Sequence, residues 1–577
     1  MMPDRARALR RWAWMVIAAV VALTGGALAM RHGHPIAAAQ VSSQADTLVA
    51  SIRAEPRSFN RYIARDLSTT VLTLLMHGAL VRINRVTNQL EPDLAERWDL
   101  LSDGQTYRLH LRAGVRFSDG TPFSADDVVF SFRAIYDHTV ESVLVDSLQV
   151  QGQPLTVIAE DATTVTVRFP AVFAAGLRML DGVPIYPRRR LEPALKAGSF
   201  RSAWGSSTPP AEIAGLGPFM LRRYEPGQRL TLDRNPYYWQ HDSRLPHLAH
   251  VVLEVVSDQD AELLQLESGS IDLTQSELRP SDVPALKRAA IAGQVAITEA
   301  GIGLDGDLLW LNLSSAKTRD PRSRWLQHPD FRRALAHMVD RRAFIDTVFY
   351  GEAVPADSII SPGNLQWHTE AALPAYDHAA ATRLLASLGL HAPRDGDGML
   401  QDGNGRAVRF TLLTQKGNTS LERGASVVRD SLARVGVRVD VVALEAGALI
   451  DYVMRGEYDA AYFRLLTTDT DPTLNLDFWL SSGSAHVWNP GQRAAATEWE
   501  ARIDALMDQI STTLDTHRRR ELFAEVQRIM AREAPILCFA FPRLPIAVSS
   551  RVIDATPAPF RPPLLWNPAV IGVRSAH

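Results

Sequence analysis

Gly301, Gly303 and Gly306 stand in the spacing G-x-G-x-x-G, with which a strand-turn-helix unit wraps a dinucleotide pyrophosphate. That chemistry needs a helix N-terminus behind the last glycine. Residues 308–313 read as a strand, so the pattern does not point to a nucleotide. His241, His247 and His250 gather near Asp242, and neutral imidazoles bind zinc, nickel or copper. Arg244, Pro246 and the neighbouring leucines read instead as a surface loop, and no metal is assigned. Asp126 and Asp127 are adjacent acids, but Ser124 stands just before them as a helix N-cap, and acids in a first turn complement the helix dipole. No nucleophile elbow, zincin motif, phosphate loop or triad spacing occurs, so no catalytic residue and no cofactor is assigned. Trp367 after Ser361-Pro362-Gly363-Asn364, and Trp488 after Ser481-Ser482-Gly483-Ser484, are aromatic side chains in polar loops. Each is a ligand-contact candidate or a lid packed on its own lobe.

The elements that must carry such residues are of both kinds. Residues 47–52 have strand character; Tyr107, Leu109 and Leu111 share one face of a strand, as do Val165, Val167 and Phe169. Asn235-Pro236 closes a strand over 229–234, since the residue before proline is pushed away from helix and proline cannot donate to a ladder. Helices dominate later. Phe331, Leu335, Met338, Ile345 and Phe349 predict one helix over 330–350, opened by Pro329 and closed by Gly351. Helical runs at 384–388 and 427–435 end at Gly389 and Gly436, and each precedes a strand. Two more helices, about 498–514 and 518–534, lead into an apolar strand-like segment, 536–548.

A chain of 577 residues exceeds what one core serves, so two or more lobes are expected. Hydrophobic residues make up 46% and charged residues 22%, ordinary for globular protein. The formal charge of -3 gives no field that would draw nucleic acid. Arg5, Arg7, Arg10 and Arg11 precede a weakly polar run over 12–30, which reads as an export signal. Cleavage after Ala37-Ala38-Ala39 is one outcome; retention of 12–30 as a membrane tether is the other. The single cysteine, Cys538, excludes an internal disulfide and reads as a small core residue.

Several phrases occur together and in order. They are Leu94-Ala95-Glu96-Arg97-Trp98; the stretch from Leu111-Arg112-Ala113-Gly114-Val115-Arg116-Phe117-Ser118-Asp119-Gly120-Thr121-Pro122 into Ser124-Ala125-Asp126-Asp127; Gly215-Leu216-Gly217-Pro218-Phe219; Arg234-Asn235-Pro236-Tyr237-Tyr238-Trp239; and Ser268-Gly269-Ser270-Ile271-Asp272. The chain thereby resembles the oligopeptide/dipeptide/nickel extracellular solute-binding proteins (family 5) from about residue 47 to 548. The resemblance implies an α/β, two-lobed periplasmic-binding-protein-like fold of the large cluster C type, with an extra subdomain in the first lobe and a hinge of crossing strands near 296–308. The implied organisation is export segment 1–39, tether 40–46, first lobe 47–300 with an insertion at about 84–215, second lobe 301–534, and a return to the first lobe over 535–577. Function and partners follow as expectations: a monomer in the extracytoplasmic space that captures a peptide or small solute by cleft closure and hands it to an ABC permease.

The resemblance also implies cleft positions. Trp310 and Asn312 match the strand after the hinge that carries side chains into the cleft. In Tyr458-Asp459-Ala460-Ala461-Tyr462-Phe463-Arg464-Leu465-Leu466-Thr467-Thr468-Asp469-Thr470-Asp471-Pro472, peptide-binding members place an acid for the ligand's ammonium three residues before the final aspartate. Here that position is Thr468, and the acid stands at Asp469, which on an extended segment points the other way unless the loop bulges. Arg464 is a candidate for a ligand carboxylate. Two rivals stay open: a ligand-binding sensor or chaperone without transport, and a secreted metal-dependent enzyme using the histidines or Asp469 and Asp471.

Overall fold

The computed structural model describes residues 46–314, 324–393, 398–466 and 469–574. The export segment, all of the tether but Asp46, and Thr468 lie outside them. Thr47–Ile52 is buried at every position, as a strand covered on both faces must be, and pairs in parallel with His250–Val255 and Leu273–Thr274. Around it the first sheet runs Phe219–Glu225, Arg229–Arg234, His250–Val255, Thr47–Ile52, Leu273–Thr274, Ala540–Ser549, Val295–Ile302, with Ala353–Pro355 joining the first residues of Ala540–Ser549. An antiparallel sheet of Ala95–Leu100, Thr106–Leu111, Thr164–Arg168 and Thr156–Asp161 shares its apolar core with the first sheet. Beside it the helix Ala125–Tyr136 begins as its sequence dictates. Asp127 accepts the backbone N–H of Ser124 at 2.9 Å and of Arg188 at 2.8 Å, and Asp126 pairs with Arg188, so the adjacent acids are scaffold.

The second lobe is built on Arg438–Leu444, Arg409–Gln415, Ala460–Phe463, Leu308–Leu311 and Ile536–Cys538, in that order. Strand alternation sends Leu309 and Leu311 into a core with the helices Pro329–Met338, Arg341–Phe349 and Thr419–Ala433, while Leu308 and Trp310 enter the opposite core with Glu498–Thr512 and Thr516–Glu533. The helix expected over 330–350 is two helices. Asp340 accepts from the N–H groups of Arg342 and Ala343 and starts the second, although the apolar period runs through the break.

The chain passes between lobes twice. It leaves the first sheet at Ile302, paired with Arg543, and enters the second at Leu308, paired with Cys538. It returns from Ile536–Cys538 to Ala540–Ser549 through Phe539 alone. The glycine-rich segment 301–306 is thus a passage between two strands with no helix behind it. Cys538 is buried there, and desolvation pushes its thiol up to about 12, leaving an inert core residue.

Candidate ligand-binding cleft

A cavity of about 260 Å³ opens where the crossing segment meets the second lobe. Its wall is largely apolar: Leu308, Trp310, Ile360, Leu465, Phe478 and Trp479 line it. Two spaces adjoin it around Leu304. One, of about 150 Å³, shares Asn364 and Thr470 and is bounded by Arg85 and Asn88 of the first lobe. The other, of about 250 Å³, shares Asp305 and is bounded by Arg61, Thr73, Arg85 and Asp181. Joined, the three reach the range of roughly 300–1,000 Å³ typical of small-ligand sites.

Polar groups tie the lobes together at the rim. Arg178, on the first lobe's short helix Gly176–Leu180, donates to the Asp469 carboxylate from Nε at 3.1 Å and Nη2 at 2.8 Å, to the Asn88 carbonyl at 2.9 Å and to the Asn88 side-chain oxygen at 2.8 Å. Thr470 donates to Asn88 at 2.7 Å, and the Asn364 amide donates to the Thr470 carbonyl at 3.0 Å. Burial raises the Asp469 pKa, and the charge of Arg178 pulls against it. Nearer the hinge, Arg464 bridges Asp307 at 2.8 Å and Glu277 of the first lobe at 3.1 Å, while Arg561 joins Glu277 and Asp305. Desolvation would lower the Arg464 pKa, but Asp307 and Glu277 hold it above its ordinary value. The Asn364 loop is pressed on the crossing strand: Ser361 Oγ donates to the Gly303 carbonyl at 2.6 Å, and a Cβ on Gly363 would lie 2.2 Å from the Ile302 carbonyl oxygen.

The sequence profile described as "Bacterial extracellular solute-binding proteins, family 5 Middle" matches residues 89–486, which is most of this two-lobed chain. The chain belongs to the family 5 extracellular solute-binding proteins. It is 26% identical over 526 residues to a "Probable ABC transporter-binding protein" of Deinococcus radiodurans, covering 86% of this chain and 87% of the relative. It is also 26% identical over 539 residues to "Heme-binding protein A" of Haemophilus influenzae, covering 90% and 91%. Its fold is shared with the oligopeptide-binding protein of Bacillus subtilis solved with a nonapeptide: TM-score 0.68, 22% identity, 91% of this chain and 98% of the other.

Of the family-derived positions, Trp310 and Asp469 line the cavity. Trp310 is both core and floor: fully buried, it stacks on Phe463 and donates its indole N–H to the Phe463 carbonyl at 3.2 Å, so only its ring face is offered. Asn312 is withdrawn from the cleft, because its amide is spent on the carbonyls of Gly456 at 2.9 Å and Tyr458 at 2.7 Å. Arg464 is held by protein carboxylates and does not border the cavity. Trp367 packs edge-on against Phe523 beneath the Arg519 guanidinium, and Trp488 lies on His486 and Phe478. Both are buried behind the wall instead of lidding it. His250 pairs with Asp233 at 2.9 Å, and among the described residues no group of three His, Cys, Asp or Glu side chains is arranged to hold a metal.

Sequence reasoning passed over Arg85, Arg178 and Asn364. Phe478-Trp479, shortly after the Asp471-Pro472 turn, was a further legible signal for the wall beside Trp310. Asp471 itself caps the short helix Pro472–Asn475 and is bridged by buried Arg519 at 2.6 Å.

Proposed function

We propose that this family 5 chain is the extracytoplasmic substrate-binding component of an ABC importer, which captures a short peptide or similar small solute by closing two lobes over it. Export through residues 12–30, a permease in the cytoplasmic membrane and a monomeric state belong to this reading. One observation carries it. The cavity is lined by the second lobe and the crossing segment, and the two spaces that adjoin it at Leu304 are bounded by the first-lobe residues Arg61, Arg85 and Asn88, so a guest that extends from one into the other touches both lobes and favours the closed arrangement by its differential affinity for that state. The relatives' stated ligands, heme and a nonapeptide, support a small organic solute. Asp469 and Asp471 are each engaged by an arginine, which favours binding over acid/base chemistry.

The test is mass spectrometry of what the purified protein releases on denaturation, followed by small-angle scattering of the stripped protein with that compound added. A compact form on addition, with the compound recovered unchanged, is the expected result. A chemically altered product, or scattering indifferent to every compound released, would defeat the reading.

A further inference from the structure

The acid that stands closest to the family's ammonium position is already neutralised, while a first-lobe guanidinium keeps one donor in hand. Asp469 receives two N–H bonds from Arg178 and a third, at 2.7 Å, from the backbone of Asp471. A ligand ammonium group at Asp469 would have to displace a charge-assisted contact of the protein's own. Residue 468, where the matching acid would stand, is a threonine and carries no charge. Arg85 is different. It is 9% exposed, one arm donates to Asp181 at 2.7 Å, and its guanidinium lies 4.3 Å from the centre of the Phe560 ring. Its other arm, Nη1, is buried with no hydrogen-bond partner among the described residues. Arg85 borders both spaces that adjoin the apolar cavity. Asn364 borders the smaller space too, and its side-chain oxygen is likewise buried without a partner among the described residues, its orientation fixed because the amide nitrogen donates to the Thr470 carbonyl. Buried donors and acceptors are costly when unmade, and a site with such groups selects the ligand that completes them.

We propose that the cleft selects a solute with an apolar side group for the 260 Å³ cavity, a carbonyl oxygen for Arg85 Nη1 and a neutral N–H or O–H for Asn364, without the aid of a free ammonium group. Because Arg85 is already balanced by Asp181, the oxygen can belong to an amide or to a carboxylate; the shared chemistry is the carbonyl acceptor. This deepens the capture reading and rests on it.

The test uses the full mature protein, stripped of carried ligand, and the dipeptide Leu-Phe in four forms: free, N-acetylated, C-amidated and blocked at both ends. Isothermal titration reads affinity. N-acetylation is expected to change affinity less than threefold, and replacing the side chains with Lys or Asp to weaken binding at least tenfold. Arg85→Lys, which retains the charge opposite Asp181 but loses the second arm, is expected to weaken binding at least tenfold at an unchanged melting temperature. Retention of binding by the amidated form assigns an amide carbonyl; its loss assigns a carboxylate. A tenfold loss on acetylation overturns the proposal, as does an Arg85→Lys variant that binds like the parent. If none of the four forms binds while the protein releases another compound on denaturation, the proposal fails and the capture reading stands. If the protein neither binds nor carries any small molecule, the capture reading itself fails.

Discussion

Arg178 and Asp469 each reach across from a different lobe, and both are largely desolvated by doing so. Removing one partner leaves the other charge buried and unpaired, at about 3–5 kcal/mol by analogy with broken buried pairs. Arg178→Met and Asp469→Asn are therefore each expected to shift the lobes toward an open form, visible as a larger radius of gyration. The double variant should lose less than the sum of the two. A second residue acts through pH. His77 is buried, with neither ring nitrogen bonded to protein among the described residues, stacked on Trp204 and set against Tyr186. Desolvation lowers its pKa to about 3 from 6.5. The folded state therefore keeps His77 neutral while the unfolded chain takes up a proton below about 6.5. The stability contribution is present above that pH and is lost as pH falls toward 3, by about 5 kcal/mol at most. Asp272 titrates in the opposite sense: burial raises it to about 6, against the pull of the Val49 N–H and the facing Arg551, so the fold gains as its carboxylate is protonated below that pH. Melting curves of wild type and His77→Phe between pH 7 and 4 isolate the histidine. The variant should have the flatter acid limb, and identical limbs would remove His77 from the account.

Elements were legible wherever a turn or cap residue coincides with a change of period. The strand Arg229–Arg234 ends at Asn235-Pro236 as expected, Glu498–Thr512 falls within its predicted span, and Thr516–Glu533 starts two residues before its own. The break at Val339 and Asp340 was hidden, because apolar spacing describes which face is buried and continues across two helices that share a core. Asp340→Ala should cost about 1 kcal/mol through the lost cap, read as a lower melting temperature, whereas exposed Asp346→Ala, within the second helix, should cost little. The cleft was legible only as residue types. Trp310 borders the cavity directly after the crossing segment, but the partner of Asp469 lies 291 residues away, and no spacing rule reports a contact between lobes. Asn312 and Arg464 were misplaced for the same reason: a polar side chain at a strand end looks alike whether it faces a ligand or its own carbonyls. At the Asn364 loop, Gly363→Ala would drive a methyl group into the Ile302 carbonyl. About 1–3 kcal/mol of strain should follow, together with weaker capture of the released solute by titration.

Across the whole molecule, stability and motion are divided between two lobes, each with its own apolar packing, joined by residues 303–307 and Phe539. A rotation of the lobes about these short connections would need few backbone changes, and it would break the inter-lobe contacts of Arg178 with Asp469, of Arg464 with Glu277 and of the Ala174 N–H with the Ser511 carbonyl at 2.7 Å. The placement of Ala540–Ser549 reaches further, into the order in which the protein is made. That strand sits between Leu273–Thr274 and Val295–Ile302, so the earliest-synthesised half cannot complete its sheet until almost the last residues have been added. A chain lacking them exposes bare strand edges. A chain stopped after residue 538 should be degraded by a protease that spares the complete protein, even though most of the second lobe is already present.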